Sequence, residues 1–234
     1  MAQKDTEFHD KRVVLAGGMG GIGGALAERF AALGARLVII YLSEASIYSF
    51  REDHPRAARV AYFVRLHGLT PERMASDLAP AIRAQGDPNL FINVVGELME
   101  EAAAGRSAPE RLAGNYQAAL ELGACAVTCM ETAGGHIVAV GHESAQTGGA
   151  PADMLQRMLS AHTAALALSA LSHRINVNAV LPGLIDTPRN RMQFADRPQS
   201  AWVQLDDVLH VVQFLCSEGA RAITGQTLSL SGWA

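Results

Sequence analysis

Apolar residues fall along this chain in short unbroken runs, separated by longer stretches of helical period. Runs at 12–16, 37–41, 60–64, 90–95, 136–140, 175–180 and 227–230 have strand length, and most are apolar throughout rather than alternating. A strand reads this way when helices cover both of its faces. Helical patterns at 21–33, 71–85, 109–132, 151–173 and 206–218 lie between them. Pro71, Pro109 and Pro151 stand at helix starts, where a missing N–H costs nothing. This alternation predicts an α/β fold, a doubly wound parallel sheet of about seven strands with helices on both faces. No repeat or linker interrupts it, so residues 1–234 are expected to form one domain, with 1–10 as a loose N-terminal extension.

Between the first strand and first helix runs Gly17-Gly18-Met19-Gly20-Gly21-Ile22-Gly23-Gly24. Backbone without Cβ turns tightly and lets a ligand approach, and the N–H groups opening the next helix attract phosphate. A glycine loop between strand and helix at the front of an α/β chain predicts a Rossmann-like dinucleotide site. A tight turn without a ligand is the plainer alternative.

Hydrophobic residues make up 49% of the 234 and charged residues 18%, enough apolar material for a sizeable core. A formal net charge of −4 gives no general attraction to nucleic acid. No apolar stretch has bilayer-spanning length, so no membrane partner and a cytoplasmic location are expected. Cys125 and Cys129 fall one helical turn apart and, with Cys216, read as small buried residues, not a disulfide or metal framework. His136, His162, His173 and His210 show no metal-ligand spacing, so no metal site is expected. The helices at 109–132 and 151–173 are apolar or small almost all round, which predicts an oligomer built on them.

The order of motifs resembles the short-chain dehydrogenase/reductase family from about Lys11 to the end. Ala16-Gly17-Gly18-Met19-Gly20-Gly21-Ile22-Gly23 is similar to its TGxxxGxG loop, and Asn93-Val94-Val95-Gly96 to its NNAG strand end. Asn115 matches the asparagine of the family's fourth long helix. Asn176-Val177-Asn178-Ala179-Val180-Leu181-Pro182-Gly183-Leu184-Ile185-Asp186-Thr187 is close to RVNAVxPGxxxT, and Ile223-Thr224-Gly225-Gln226-Thr227-Leu228 to ITGQxL. The resemblance implies NAD or NADP held by Gly17, Met19, Gly21, Ile22, Gly23, Tyr41, Asn93, Gly96, Pro182, Gly183, Ile185 and Thr187. At the second strand end no carboxylate precedes Glu44, a slight lean to NADP, although no arginine is adjacent to neutralise a 2′-phosphate. Ala16, Val94, Val95 and Gly68 depart from the family's cofactor-lining pattern and imply weakened or lost affinity.

The family's reaction uses a tyrosine and a lysine four residues later, the ammonium lowering the phenol's pKa while a serine holds the substrate oxygen. This chain has no tyrosine after Tyr116 and no lysine after Lys11. Counting from Asn115, the serine position falls on His142, with Ser144 close behind, and the tyrosine and lysine positions near Leu155 and Leu159. Asp153 and Arg157, two residues off, read as a helix-start carboxylate and its i,i+4 partner. Leucine neither donates a proton nor tunes a neighbour. The implied function is a pseudoenzyme or non-catalytic subunit, homo- or hetero-oligomeric, paired with an active relative. One alternative is an NADP-dependent oxidoreductase of carbonyl reductase or alcohol dehydrogenase type, using Asn115 and His142 as catalytic groups. Another is a dinucleotide-sensing binding protein. The brief polar stretch 188–203 is expected to be a solvated loop where the family carries a substrate lid.

Overall fold

Seven parallel strands lie in the order β3-β2-β1-β4-β5-β6-β7 in the computed structural model, which describes residues 6–68, 70–94, 108–141 and 150–232. They are β1 (Arg12–Ala16), β2 (Arg36–Tyr41), β3 (Ala61–Arg65), β4 (Leu90–Val94), β5 (Gly135–Val140), β6 (Ile175–Pro182) and β7 (Thr227–Leu230). The chain steps outward from β1 to β3, then returns to lay β4 on the other side of β1. That reversal opens a crevice beyond the carboxyl ends of β1 and β4, where open α/β sheets take their ligands.

Alternate side chains of each strand feed two cores. Val14 and Ala16 of β1 join Val38, Ile40 and Phe91 on one face; Val13 and Leu15 join Leu37, Ile39 and Ile92 on the other. The first face is covered by α5 (Ala79–Arg83), α6 (Ala108–Met130) and α7 (Ala150–Ala170), through Ile82, Leu122 and Leu159 among others. The second is covered by α1 (Gly21–Ala32) and α9 (Leu205–Leu215), through Leu26, Phe30, Val208 and Val212. Both faces exclude water, so the strands read as continuous apolar runs. Phe30, 0% exposed, contributes about 2–3 kcal/mol by burial alone.

Several local expectations change. Residues 6–10, expected to be loose, form a turn: Phe8 is 2% exposed and meets Phe30 edge-on with ring centroids 5.3 Å apart. Asp10 N also donates to Gly34 O at 2.9 Å, and Arg36 holds the Asp10 carboxylate. Val60 belongs to α3 (Pro55–Val60), not to the third strand, because Pro55 opens a short helix there. α2 (Glu44–Asp53) precedes it, unforeseen because only Ile47 and Phe50 on it are buried. The helical stretch expected at 71–85 is built as α4 (Pro71–Arg73), a π-helical turn at Met74–Leu78, and α5. Thr70 accepts a hydrogen bond from Arg73 N at 3.4 Å to start it. Residues 188–193, expected as loop, form α8 (Pro188–Gln193). Cys125, Cys129 and Cys216 are buried and unbridged, and burial pushes the Cys216 thiol up.

Two half-buried histidines make the fold sensitive to acid. Burial holds the imidazoles of His136 and His162 below the ordinary value of 6.5. Glu218 and Glu7 draw His136 back up and Lys11 pushes it further down, while a backbone bond to Ala119 draws His162 up. The unfolded chain therefore binds protons more readily just below pH 6.5. The stability these neutral rings provide is complete above that value and is lost as pH falls through the lowered folded values. The urea midpoint is expected to drop between pH 7.5 and about 5.5. A His136→Gln/His162→Gln chain should show a shallower pH slope; an unchanged slope would refute the assignment.

Candidate dinucleotide site

The glycine loop sits at the reversal point, and its local geometry follows from residues that lack Cβ. Gly17 has φ +79°, a left-handed conformation that L side chains rarely adopt. A Cβ on Gly23 would be driven into the Gly17 carbonyl oxygen, so the first turn of α1 lies directly on the loop backbone. A Cβ on Gly18 would stand 3.0 Å from Ile39 Cγ2. Gly21 begins α1 in solvent, Ile22 is buried beneath it, and Met19 packs half-buried on the α1–α9 core. The N-cap is Gly20, with no side-chain cap and no acidic residue in the first turn. A helix start without its own carboxylate or hydroxyl keeps its positive end available to an anion.

Asn93 closes the floor of the crevice. It pairs in register with Ala16 of β1 and Ala139 of β5, and is 3% exposed. Its Oδ1 is buried with no hydrogen-bond partner among the described residues. An orphaned buried acceptor at the reversal point is costly unless a donor arrives from outside the protein.

At the end of β2, the Tyr41 hydroxyl donates to Glu44 Oε1 at 2.8 Å, and burial with that carboxylate raises the phenol pKa. The parallel register sets Arg65 opposite Tyr41, and its Nη1 lies 3.7 Å from Glu44 Oε1. An arginine thus does stand beside this position. Strand pairing supplies it, which is why neighbours in sequence did not reveal it.

Beyond β6 the backbone is tied down. Gly183 N donates to Leu230 O at 2.8 Å, Pro182 is buried, and Ile185 bridges to Val203. Thr187 Oγ1 accepts from Asn190 N at 3.2 Å and so caps α8, while Asn190 Nδ2 donates to Ile185 O at 2.8 Å. Arg191 grips Asp186 through two bonds, Nε to Oδ1 at 2.5 Å and Nη2 to Oδ2 at 2.7 Å. This pair holds the Asp186 carboxyl below its usual range, and Arg191 is consumed by it.

Asn115 of α6 is half-buried, and its Oδ1 has no partner among the described residues. Leu159 of α7 is 4% exposed and belongs to the core cluster with Ala16 and Leu122. A Cβ on Gly141 would meet its Cδ2 at 2.8 Å. Leu159 is therefore packed in hydrocarbon. His142 and Gly96 lie outside the described residues, as does Ser144; Leu155 falls in α7. Gly17, Gly21, Ile22 and Gly23 lie on the loop and first turn that follow β1, Asn93 lies on β4 beside Ala16, and Thr187 Oγ1 accepts the capping bond of α8. Among the described residues no group of three His, Cys, Asp or Glu is placed to hold a metal ion, and no helix is long and apolar enough to cross a membrane.

Comparison with known proteins agrees with this geometry. A family model described as enoyl-(acyl carrier protein) reductase matches residues 17–232. The chain is 27% identical over 240 residues to an uncharacterized oxidoreductase of Mycobacterium tuberculosis, covering 95% of this chain and 91% of that protein. In structure it is similar to a hydroxysteroid dehydrogenase from Escherichia coli, with a TM-score of 0.77 and 19% identity over 98% and 99% of the two chains. It is also similar to an actinorhodin polyketide ketoreductase determined with NADPH, with a TM-score of 0.74 and 21% identity over 99% and 98%. A seven-stranded parallel sheet, a glycine loop at its reversal point and a family match over almost the whole length lead to one conclusion: the chain belongs to the short-chain dehydrogenase/reductase family, as an oxidoreductase-type protein.

Proposed function

We propose that this protein holds NADP, or less favourably NAD, in the glycine loop and acts as a non-catalytic member of its family within an oligomer. The residues fit the dinucleotide: Gly17 and Gly23 leave the loop open to a pyrophosphate, the uncapped start of α1 faces it, and Asn93 Oδ1 awaits a donor. Gly96, Pro182, Gly183, Ile185 and Thr187 would complete the cradle by resemblance. When bound, the nicotinamide supplies a hydride acceptor or donor. What the sequence lacks is the tyrosine and lysine that would move the accompanying proton.

Leu159 carries this reading. Its side chain is sealed into the core where the resemblance implies an ammonium, and hydrocarbon cannot hold a phenol near neutral pKa. The test is a pair of measurements on the pure protein. NADPH fluorescence should report saturable binding, while steady-state reduction of simple ketones should stay at background. Turnover at an ordinary enzymatic rate would overturn the proposal.

A second reading, an NADP-dependent oxidoreductase with an atypical site, is favoured by the relatives, which are named as oxidoreductase, dehydrogenase and ketoreductase. Asn115 Oδ1, buried without a partner, supports it from the geometry. There Asn115 and His142 would hold and protonate the substrate oxygen. Ketone reduction lost in His142→Ala would establish that reading.

The oligomer surface follows from α6 and α7. On α7, Met154 is 59% exposed and Leu168 73%, with Ala161, Ala164 and Ala165 exposed beside them, and Leu171 in the turn that follows is 54% exposed. Such a row along one helix is what a partner of the same fold would cover, this chain or an active relative. Leu168→Glu should raise the dissociation constant by about tenfold or more in sedimentation equilibrium, because a carboxylate would have to be desolvated. A monomeric wild type at micromolar concentration would refute this surface.

A further inference from the structure

On the sheet face covered by α5, α6 and α7, two thiols lie together inside the core. Cys125 and Cys129 are one turn apart on α6, 5% and 1% exposed, and hydrogen-bonded to one another. We propose that this pair is a two-coordinate site for a soft monovalent cation, copper(I), held in line between the two sulfurs. The site owes nothing to the dinucleotide reading. Its spacing, its number of ligands and its charge each bear on the choice of ion.

Spacing sets aside the commoner fate of paired thiols. Cβ atoms four residues apart on a helix stand about 5–6 Å from one another. A disulfide needs about 3.5–4.5 Å, so closing one would break α6, and both thiols are unbridged. A cation can span the wider gap, because two metal–sulfur bonds of about 2.3 Å laid in line reach about 4.6 Å. Ligand number narrows the ion further. Among the described residues no group of three His, Cys, Asp or Glu comes together, so the four ligands that Zn(II) takes are not on offer. Leu122 and Ala126 share the cluster with the two thiols and bring no oxygen for a harder ion.

Two thiolates around a monovalent ion leave one negative charge in the core. Arg83, the last residue of α5, answers it, since its guanidinium favours negative charge on either sulfur. Asp87 and Glu131 act the other way on Cys129, each more weakly than Arg83. The guanidinium is fixed over this part of α6, where Nη2 donates to Thr128 O and to Glu131 Oε1, the latter at 3.0 Å. A neutral bis-thiolate of a divalent ion would have no use for that charge. On binding, two S–H bonds give way to two S–Cu bonds, two protons leave to solvent, and no electron is transferred. The wall beside Cys129 is built to yield: its thiol donates to Ala79 O at 4.0 Å, where the π-helical turn passes into α5. Pro80, the next residue, has no N–H for the Ser76 carbonyl, so the helix lacks a rung there.

Anaerobic titration of the full chain against the copper(I) complex of bicinchoninate tests this, because the dye reports the metal it loses. The wild type should withdraw one equivalent, and its urea midpoint should then rise. Cys125→Ala and Cys129→Ala should each weaken withdrawal by about a hundredfold or more, and Arg83→Gln by about tenfold. Cys216→Ala, which removes the third cysteine, should match the wild type. Circular dichroism verifies the fold of each variant. X-ray absorption at the copper edge of the loaded wild type should show two sulfur neighbours and no other, a readout that needs no variant to fold. No withdrawal by the wild type, undiminished withdrawal by both Cys125→Ala and Cys129→Ala, nitrogen or oxygen in the copper shell, or equal uptake of Zn(II) would overturn the proposal. NADPH fluorescence is read separately, so failure at the glycine loop leaves this outcome untouched.

Discussion

A single methyl group added at Gly23 is expected to abolish NADPH binding and to lower stability by about 3 kcal/mol. The added Cβ would meet the carbonyl oxygen of Gly17, which is backbone and cannot swing aside as a flexible side chain would. Relief requires the first turn of α1 to lift away from the loop. That displaces Ile22, buried at 6% exposure, and takes the helix start off the crevice. Gly20→Ala provides the contrast, because Gly20 has φ −91° and ψ −173°, backbone that any residue adopts. It should lose no more than about 1 kcal/mol. Urea unfolding and NADPH fluorescence measure both effects. Retention of NADPH affinity within about twofold in Gly23→Ala would show that the loop and helix do not press together as described.

Leu159→Lys is expected to destabilise the fold by about 4 kcal/mol, or roughly 10 °C in Tm, without creating activity. The new side chain would exchange core hydrocarbon for an amine among Leu181, Gly141 and the α6–α7 cluster. Desolvation there lowers the pKa of a lysine, and a neutral amine cannot lower that of a phenol. The double variant Leu155→Tyr/Leu159→Lys should therefore also fail to reduce ketones at pH 7. Thermal melts and steady-state assays decide the matter. A stable, active double variant would mean that the wall beside the crevice is more yielding than Leu159 indicates.

Local signals carried much of this architecture, and non-local ones carried the remainder. Continuous apolar runs marked the strands because both sheet faces are buried, as the alternation of Val13 and Leu15 with Val14 and Ala16 between two cores makes plain. The glycine loop was legible from its composition between a strand and a helix; Gly23 answers a contact within a few residues, while the nearest contact for Gly18 is Ile39 of β2. α2 was not, because a helix that buries only Ile47 and Phe50 carries little apolar period. Arg65 beside Glu44 depends on the pairing of β2 with β3, which no window of sequence displays. Thr187 illustrates a subtler difficulty. A hydroxyl after a strand can cap a helix and still donate to a ligand, and the Asn190 N–H three residues on shows only the capping half at Thr187.

Ala16 is the residue immediately below the glycine loop, and it shares its packing cluster with Ala118, Leu122 and Leu159 of the two long helices. The exposed row of α7 and the foundation of the loop are therefore mechanically continuous on one side of the sheet. Any body that leans on that row pushes against the loop's footing without having to cross the strands. A partner on that row would in this way bear on the loop through a single slab of packed side chains.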